Sequence, residues 1–209
     1  MSAPGGRTDA DASTRSRWLL VIAPFLKDTG RLYLAVGEPE AIAGNGGGKL
    51  QREFLQNADM YGKPKFMVLA KGRYDVAPLG SADLVLTFRN VHNWMEGGYA
   101  REVFSAAFRA LKPGGVLGIV EHRAKPGQQD PKARSGYVAE AFVIELAASA
   151  GFRWVAASEI NANPKDTKDY PKGVWALPPS YAAWNTDRSK YAAIGESDRM
   201  TLKFIKPTR

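Results

Sequence analysis

Between Lys65 and Ile160 the chain alternates between two hydrophobic rhythms, and no other feature narrows its fold so far. Short apolar runs at Lys65–Ala70, Ala82–Phe88 and 116–121 read as strands, the second of them largely buried. Residues 98–111 instead place Val103, Phe104, Ala107, Phe108 and Leu111 on one helical face, and Pro113-Gly114-Gly115 turns the chain into the next strand. A helix over about 137–149 ends at Gly151 and passes into a strand over about 152–160. Upstream, a helix is predicted over about 14–27, capped by Thr14 or Ser16, with Trp18, Val21, Ile22 and Phe25 at helical spacing. Pro24 bends it or sets its last turn, and Gly30 closes it before a strand at 31–36 and a helix near 49–60. Strands alternating with helices predict an α/β fold with a mostly parallel sheet.

The two ends differ from this centre. Residues 1–13 carry almost no apolar side chain and are expected to be a flexible N-terminus, which leaves 14–209 as one domain. Residues 161–197 are rich in Pro, Asp, Lys and aromatics without a clear period. So long a connection in a compact domain is expected to be a lid or binding loop, or else a surface excursion over a sheet edge. A final strand at 200–206 alternates as an edge or antiparallel strand does.

Composition removes several classes of function. At 209 residues, 44% hydrophobic and 24% charged, the chain is not disordered throughout, collagenous or a coiled coil. It has no Cys, which excludes disulfides, a thiolate nucleophile and Cys-bound zinc. The two histidines, His92 and His122, are too few for a multi-histidine cage. Glu121 beside His122 suggests a metal, but neighbours on a strand point to opposite faces, so no metal site is expected. The net charge of +8 is scattered from Arg7 to Arg209 without a basic run, as on a solvated surface; a basic nucleic-acid-binding domain stays as an alternative. No stretch reaches the roughly 18 apolar residues of a membrane helix, and the first residues lack the apolar core of a secretory signal. A cytoplasmic location is the default expectation.

The Gly-rich run Gly44-Asn45-Gly46-Gly47-Gly48-Lys49 resembles a phosphate-binding loop but fails its requirements. Ala43 stands where the first Gly belongs, and Leu50 stands where Ser or Thr should follow the Lys. The dinucleotide fingerprint fails because its third Gly falls on Lys49, so the run reads as a flexible connection.

The run Ala82-Asp83-Leu84-Val85-Leu86-Thr87-Phe88-Arg89-Asn90-Val91-His92-Asn93-Trp94, the helix ending Leu111-Lys112-Pro113-Gly114-Gly115 and the strand after it resemble strands 4 to 5 of the class I S-adenosylmethionine-dependent methyltransferases. Ala150-Gly151-Phe152 resembles their junction into strand 6. The resemblance covers about residues 14–160 and the last strand, and is strongest to a group of bacterial methyltransferases. It implies a Rossmann-like sheet, mostly parallel with an antiparallel C-terminal strand, and S-adenosyl-L-methionine as cofactor.

In such folds ligands sit beyond the carboxyl ends of the strands. By resemblance, Glu38 is the acid for the cofactor's ribose hydroxyls and Asp75 lies near its adenine, while Arg89 and Asn90 contact its amino-acid end. His92-Asn93-Trp94 resembles the His-Asp/Asn-Trp element of plant-type small-molecule O-methyltransferases, which makes His92 the candidate general base; an imidazole suits that role at neutral pH. The alternative is that His92 caps the following helix or packs on Trp94. Trp175, Tyr181, Trp184 and Tyr191 could wall a flat substrate or pack a lid onto the sheet.

The family's first strand and Gly-rich turn have no counterpart except Pro4-Gly5-Gly6. The first strand is therefore expected to be missing, which would leave exposed sheet edges through which a homodimer could form. Two readings stay open: a methyltransferase acting on a small-molecule acceptor, and a truncated or degenerate relative without activity.

Overall fold

The structure, a computed structural model, describes residues 10–37, 47–127, 129–182 and 187–208, with side chains described from residues 18 and 52 in the first two stretches. The chain divides into two compact units, Met1–Arg73 and Tyr74–Arg209, within the span read from sequence as one domain.

In the first unit, helix α1 (Ala10–Leu26) leads to strand β1 (Tyr33–Val36), helices α2 (Gly47–Gln56) and α3 (Ala58–Tyr61), and strand β2 (Lys65–Ala70). β1 and β2 pair in parallel, Tyr33 opposite Lys65 and Val36 opposite Val68, and a two-residue strand β3 (Arg73–Tyr74) follows β2 in the sheet. The expected apolar face of α1 is corrected here. Leu19, Leu20 and Ala23 pack with Leu34 and Phe54, whereas Val21 is 57% and Phe25 80% exposed. Phe54 organises this core: it is buried and meets the Tyr61 and Phe66 rings at 5.0 and 6.5 Å between centroids. The helix starts at Ala10 instead of 14, Pro24 lies in its last turn, and Gly30 closes it by donating its N–H to the Leu26 carbonyl at 2.8 Å. Of the Gly-rich run, residues 44–46 lie outside the described residues, and α2 begins at Gly47.

In the second unit the elements are β4 (Ala82–Phe88), α4 (Val91–Gly97), α5 (Ala100–Ala110), β5 (Leu111–His122), α6 (Glu140–Ser149), β6 (Arg153–Ser158), a 3-10 turn (Gly173–Ala176), α7 (Arg188–Ile194) and β7 (Arg199–Ile205). Their sheet has the order β4-β5-β7-β6. β4 and β5 run parallel, and β7 is antiparallel to both of its neighbours. β7 is an inner strand: Met200, Leu202 and Phe204 are buried. α5 supplies the facing layer through Val103, Phe104, Ala106, Ala107 and Ala110, all buried. At its carboxyl end Lys206 donates Nζ hydrogen bonds to the Phe108 and Leu111 carbonyls at 2.8 and 2.7 Å, a cation where the helix dipole favours one. Gly151 (φ +103°) is required where it stands, since a Cβ there would come within 2.9 Å of the Phe108 ring.

β4 departs from the buried strand expected. Leu84 is 53% and Leu86 41% exposed, on one face of the strand, and among the described residues β4 pairs on one side only, with β5.

Segment 161–197 is tied down by charge. Arg123 donates to both oxygens of Asp198 (3.1 and 2.9 Å) and to both oxygens of Glu159 (2.9 and 2.6 Å), and the Lys168 ammonium lies 2.7 Å from Asp198. The buried Tyr137 hydroxyl donates to Asp166, whose carboxylate also accepts the Asp198 N–H at 2.7 Å. Burial pushes the Tyr137 hydroxyl up, and the Asp166 carboxylate beside it adds to the shift. Burial pushes Asp198 up as well, but the bonds from Arg123, Lys168 and the Asn163 N–H outweigh it and hold the carboxyl at about 2, against an ordinary 3.8. A depressed carboxyl stabilises the fold above its unfolded value and loses that contribution as pH falls through the folded one. The melting temperature of Asp198→Asn should therefore lie below wild type above about pH 4, by about 1–2 kcal/mol of stability after solvent screening, with the gap closing toward pH 2. Thermal scans of both proteins across that range test this; a gap that widens on acidification would refute it.

Candidate functional site

Two chain turns meet where β4 and β5 end. β4 stops at Phe88, and Arg89 takes a left-handed conformation (φ +56°) that redirects the chain into α4. Its N–H still donates to the Val120 carbonyl at 2.7 Å, so the turn stays attached to β5. Asn90 occupies the N-cap of α4 but makes no side-chain cap bond. The cap comes from Glu121, near the end of β5: its Oε2 accepts the N–H groups of Val91 (2.6 Å) and His92 (3.3 Å). The same carboxylate's Oε1 accepts the His122 N–H at 2.8 Å and lies 2.9 Å from His92 Nδ1.

Glu121 is fully buried, and His92 is 4% exposed. Because the carboxylate is an acceptor, this bond is made with a proton on Nδ1 of His92. His122, the last residue of β5, bonds through Nδ1 to Ser197 Oγ at 2.5 Å, and its ring lies 5.3 Å from that of His92. The Trp175 ring meets His92 edge-to-face at 6.0 Å.

The expectation that Glu121 and His122 diverge is overturned. One ligand atom from each of His92, Glu121 and His122 lies within 4.8 Å of the others, because the Glu121 carboxylate curls back to its neighbour's N–H instead of standing off the sheet. Two imidazoles and a carboxylate are a recognised metal-ligand set. Here, though, the carboxylate is already engaged by three backbone N–H groups and an imidazole, filling about the four acceptor positions it has. Its chemistry in this arrangement is that of a helix cap and imidazole partner.

Of the residues singled out in the sequence, Arg89, Asn90 and His92 stand together at the end of β4. Arg89 is buried and Asn90 half-buried. Asp75 is exposed on the segment between β3 and β4. Glu38 lies outside the described residues, as does Trp184. His92 does not serve as the cap of α4, and Trp94 packs edge-to-face on Phe104 at 6.4 Å instead. Tyr191 is buried in a separate cluster with Ala176 and Leu177, against which Tyr170 and Tyr181 pack. Ser197 is the site residue that sequence reading missed, and Glu121 was weighed there only as a metal partner of His122; the signal for its present role was an acid closing an otherwise apolar strand. Two further oxygens beside the turn, Thr87 Oγ1 and Asn93 Oδ1, are buried with no hydrogen-bond partner among the described residues.

Removing the carboxylate leaves up to three buried N–H groups without an acceptor. Glu121→Ala should cost about 3–5 kcal/mol, and Glu121→Gln, which keeps one acceptor oxygen, clearly less. Urea unfolding of the two variants measures it, and a Glu121→Ala loss below about 1 kcal/mol would contradict the capping role.

No protein-family model matches the sequence, and no curated protein matches it either. Solved structures do. A SAM-dependent methyltransferase from Methanosarcina mazei aligns with TM-score 0.54 at 14% identity, covering 95% of this chain and 89% of that one. Phosphoethanolamine N-methyltransferase 2 of Haemonchus contortus, solved in complex with S-adenosyl-L-methionine, aligns with TM-score 0.52 at 16% identity, covering 93% of this chain and 53% of that one. The [4+2]-cyclase SpnF aligns equally well, with TM-score 0.54 at 17% identity over 93% of this chain and 81% of that one. The structural neighbours are thus chiefly class I SAM-dependent methyltransferases, at low identity and high coverage, and the chain has their mixed α/β, Rossmann-like fold.

Proposed function

We propose that the protein is an S-adenosylmethionine-dependent methyltransferase acting on the hydroxyl of a small-molecule acceptor, with His92 as general base. The observation that carries this reading is the buried His92–Glu121 pair, 2.9 Å apart, at the carboxyl ends of two neighbouring parallel strands. Strand ends are where this class of sheet binds its ligands.

The residues there suit the cofactor's polar end. Asn93 Oδ1 and Thr87 Oγ1 are buried acceptors without a partner among the described residues, matched to an ammonium group. The Arg89 guanidinium and the Asn90 amide are donors for a carboxylate, and Asp75 is an acceptor for hydroxyl or amino groups nearer the adenine. Glu38 keeps the role of ribose partner that the family resemblance assigns to it.

When bound, S-adenosylmethionine supplies a methyl group on a positively charged sulfur, and the C–S electron pair stays with the sulfur as the acceptor oxygen attacks. Everything else falls to the chain. Glu121 holds the Nδ1 proton of His92 and so fixes ring orientation and tautomer. Nε2 accepts the proton that the acceptor hydroxyl loses as its oxygen becomes alkylated. Glu121 then faces the imidazolium it has helped to form, and the charge is balanced within the pair.

A second reading is a relative that no longer catalyses. The observation in its favour is the outer edge of β4, which lacks a partner strand among the described residues. Calorimetry with S-adenosylmethionine and its demethylated product separates the two: micromolar binding at full occupancy supports the enzyme, and no binding up to millimolar ligand rules it out. Where the cofactor binds, His92→Ala should leave its affinity unchanged and lower turnover by about 10²–10⁴-fold. Unchanged turnover would remove His92 from the mechanism.

A further inference from the structure

Two other aromatic rings pack on the His92 imidazole, those of His122 and Trp175, and the three differ in access. His92 is 4% and His122 9% exposed, whereas Trp175 is only half-buried. From solvent, the indole is the outermost of the three, and it meets the His92 ring edge-to-face at 6.0 Å.

The backbone under Trp175 is fixed. The Val174 N–H donates to the Ser135 carbonyl at 2.9 Å, and the Trp175 carbonyl accepts the Ala182 N–H at 2.6 Å. Gly173 (φ +55°) presses against Ser135 so closely that a Cβ would come within 2.1 Å of its carbonyl oxygen. Gly136 (φ +77°) lies under the indole, where a Cβ would stand 3.2 Å from Trp175 Cη2. Two glycines thus let a strap from the long excursion seat against the segment after β5 and deliver this one side chain to His92. With the backbone pinned, any uncovering of His92 falls to rotation of the indole about its side-chain bonds, a fast motion for a partly exposed residue.

We propose that Trp175 gates His92 and selects acceptors bearing a planar aromatic ring, an inference that rests on His92 being the base. Swung aside, the indole offers a flat apolar face beside the His92 ring, on which an aromatic ring stacks and an aliphatic one does not gain the same geometry. Proton transfer points the same way. A phenol ionises near pKa 10, far more readily than a water-like hydroxyl, so an imidazole base faces a much smaller gap with the phenol.

The test needs no turnover. His92 in the full-length chain is labelled with diethyl pyrocarbonate and followed by peptide mass spectrometry, with His122 as internal reference. If the open state is a minor population, Trp175→Ala should speed His92 labelling about tenfold or more, and Trp175→Phe should stay near wild type. Equal rates in wild type and Trp175→Ala overturn the gate; should that variant misfold, Trp175→Leu gives the same comparison. In the wild type, phenol near its dissociation constant should slow His92 labelling about twofold, and cyclohexanol at the same concentration should not. Equal protection by the two overturns the aromatic preference. A gate that passes while His92→Ala leaves turnover intact would fault the base assignment alone, so the two failures are distinguishable.

Discussion

The second unit depends on one buried carboxylate. Glu121 sits on β5, the strand with β4 on one side and β7 on the other, so its side chain cannot reach water. A buried charge is tolerable only when fully engaged, and Glu121 is: it accepts the N–H groups of Val91, His92 and His122 and pairs with the His92 ring. These bonds do three separate jobs. They cap a seven-residue helix whose own N-cap residue makes no side-chain bond, they hold α4 to the end of β5, and they set the tautomer of the histidine. Loss of any one geometry disturbs the others, which is how a short helix comes to be placed reproducibly at a strand end.

The same arrangement explains why the excursion after β6 is anchored so firmly. Arg123 follows His122 directly, and it grips Asp198 and Glu159 by paired hydrogen bonds, while Ser197, next to Asp198, reaches His122. The return of the chain into β7 is thereby locked to the strand end that carries the cluster. Register does the rest: His122 lies opposite Arg199 and Glu121 opposite Met200, so the last strand brings Ser197 and Asp198 to the site edge.

Much of this was legible in the sequence, and the limits have physical causes. Lys65–Ala70 and Ala82–Phe88 were read with their observed bounds, because apolar runs there are closed sharply by polar or turn-forming neighbours. The face of α1 was misread, since Trp18, Val21 and Phe25 repeat as regularly as Leu19, Leu20 and Ala23, and only Phe54 and Leu34 decide between them. Strand alternation misplaced Glu121 and His122 because it describes the middle of a strand, where ladder bonds hold the pleat. At the last two positions a carboxylate is free to fold back onto a local N–H. The His92–Glu121 pair spans 29 positions, beyond any local pattern. Four aromatic residues of the excursion looked equivalent in sequence. Leu177 and Ala176 draw Tyr191 and Tyr181 into a core of their own, and this leaves Trp175 as the one described residue of the four beside His92.

The fold alone does not choose a chemistry. A [4+2]-cyclase aligns with this chain as closely as a methyltransferase does, at TM-score 0.54 in both cases, so the shared sheet is a scaffold and the reaction belongs to what stands at its strand ends. What stands there is a buried imidazole–carboxylate pair, two buried oxygens without partners among the described residues, and an indole packed edge-to-face on the imidazole. A carboxylate on Nδ1 and an indole packed edge-to-face hold the His92 ring from two sides. Thr87 Oγ1 and Asn93 Oδ1, buried with no hydrogen-bond partner among the described residues, carry an energetic penalty that folding does not need, and such penalties collect where a ligand relieves them.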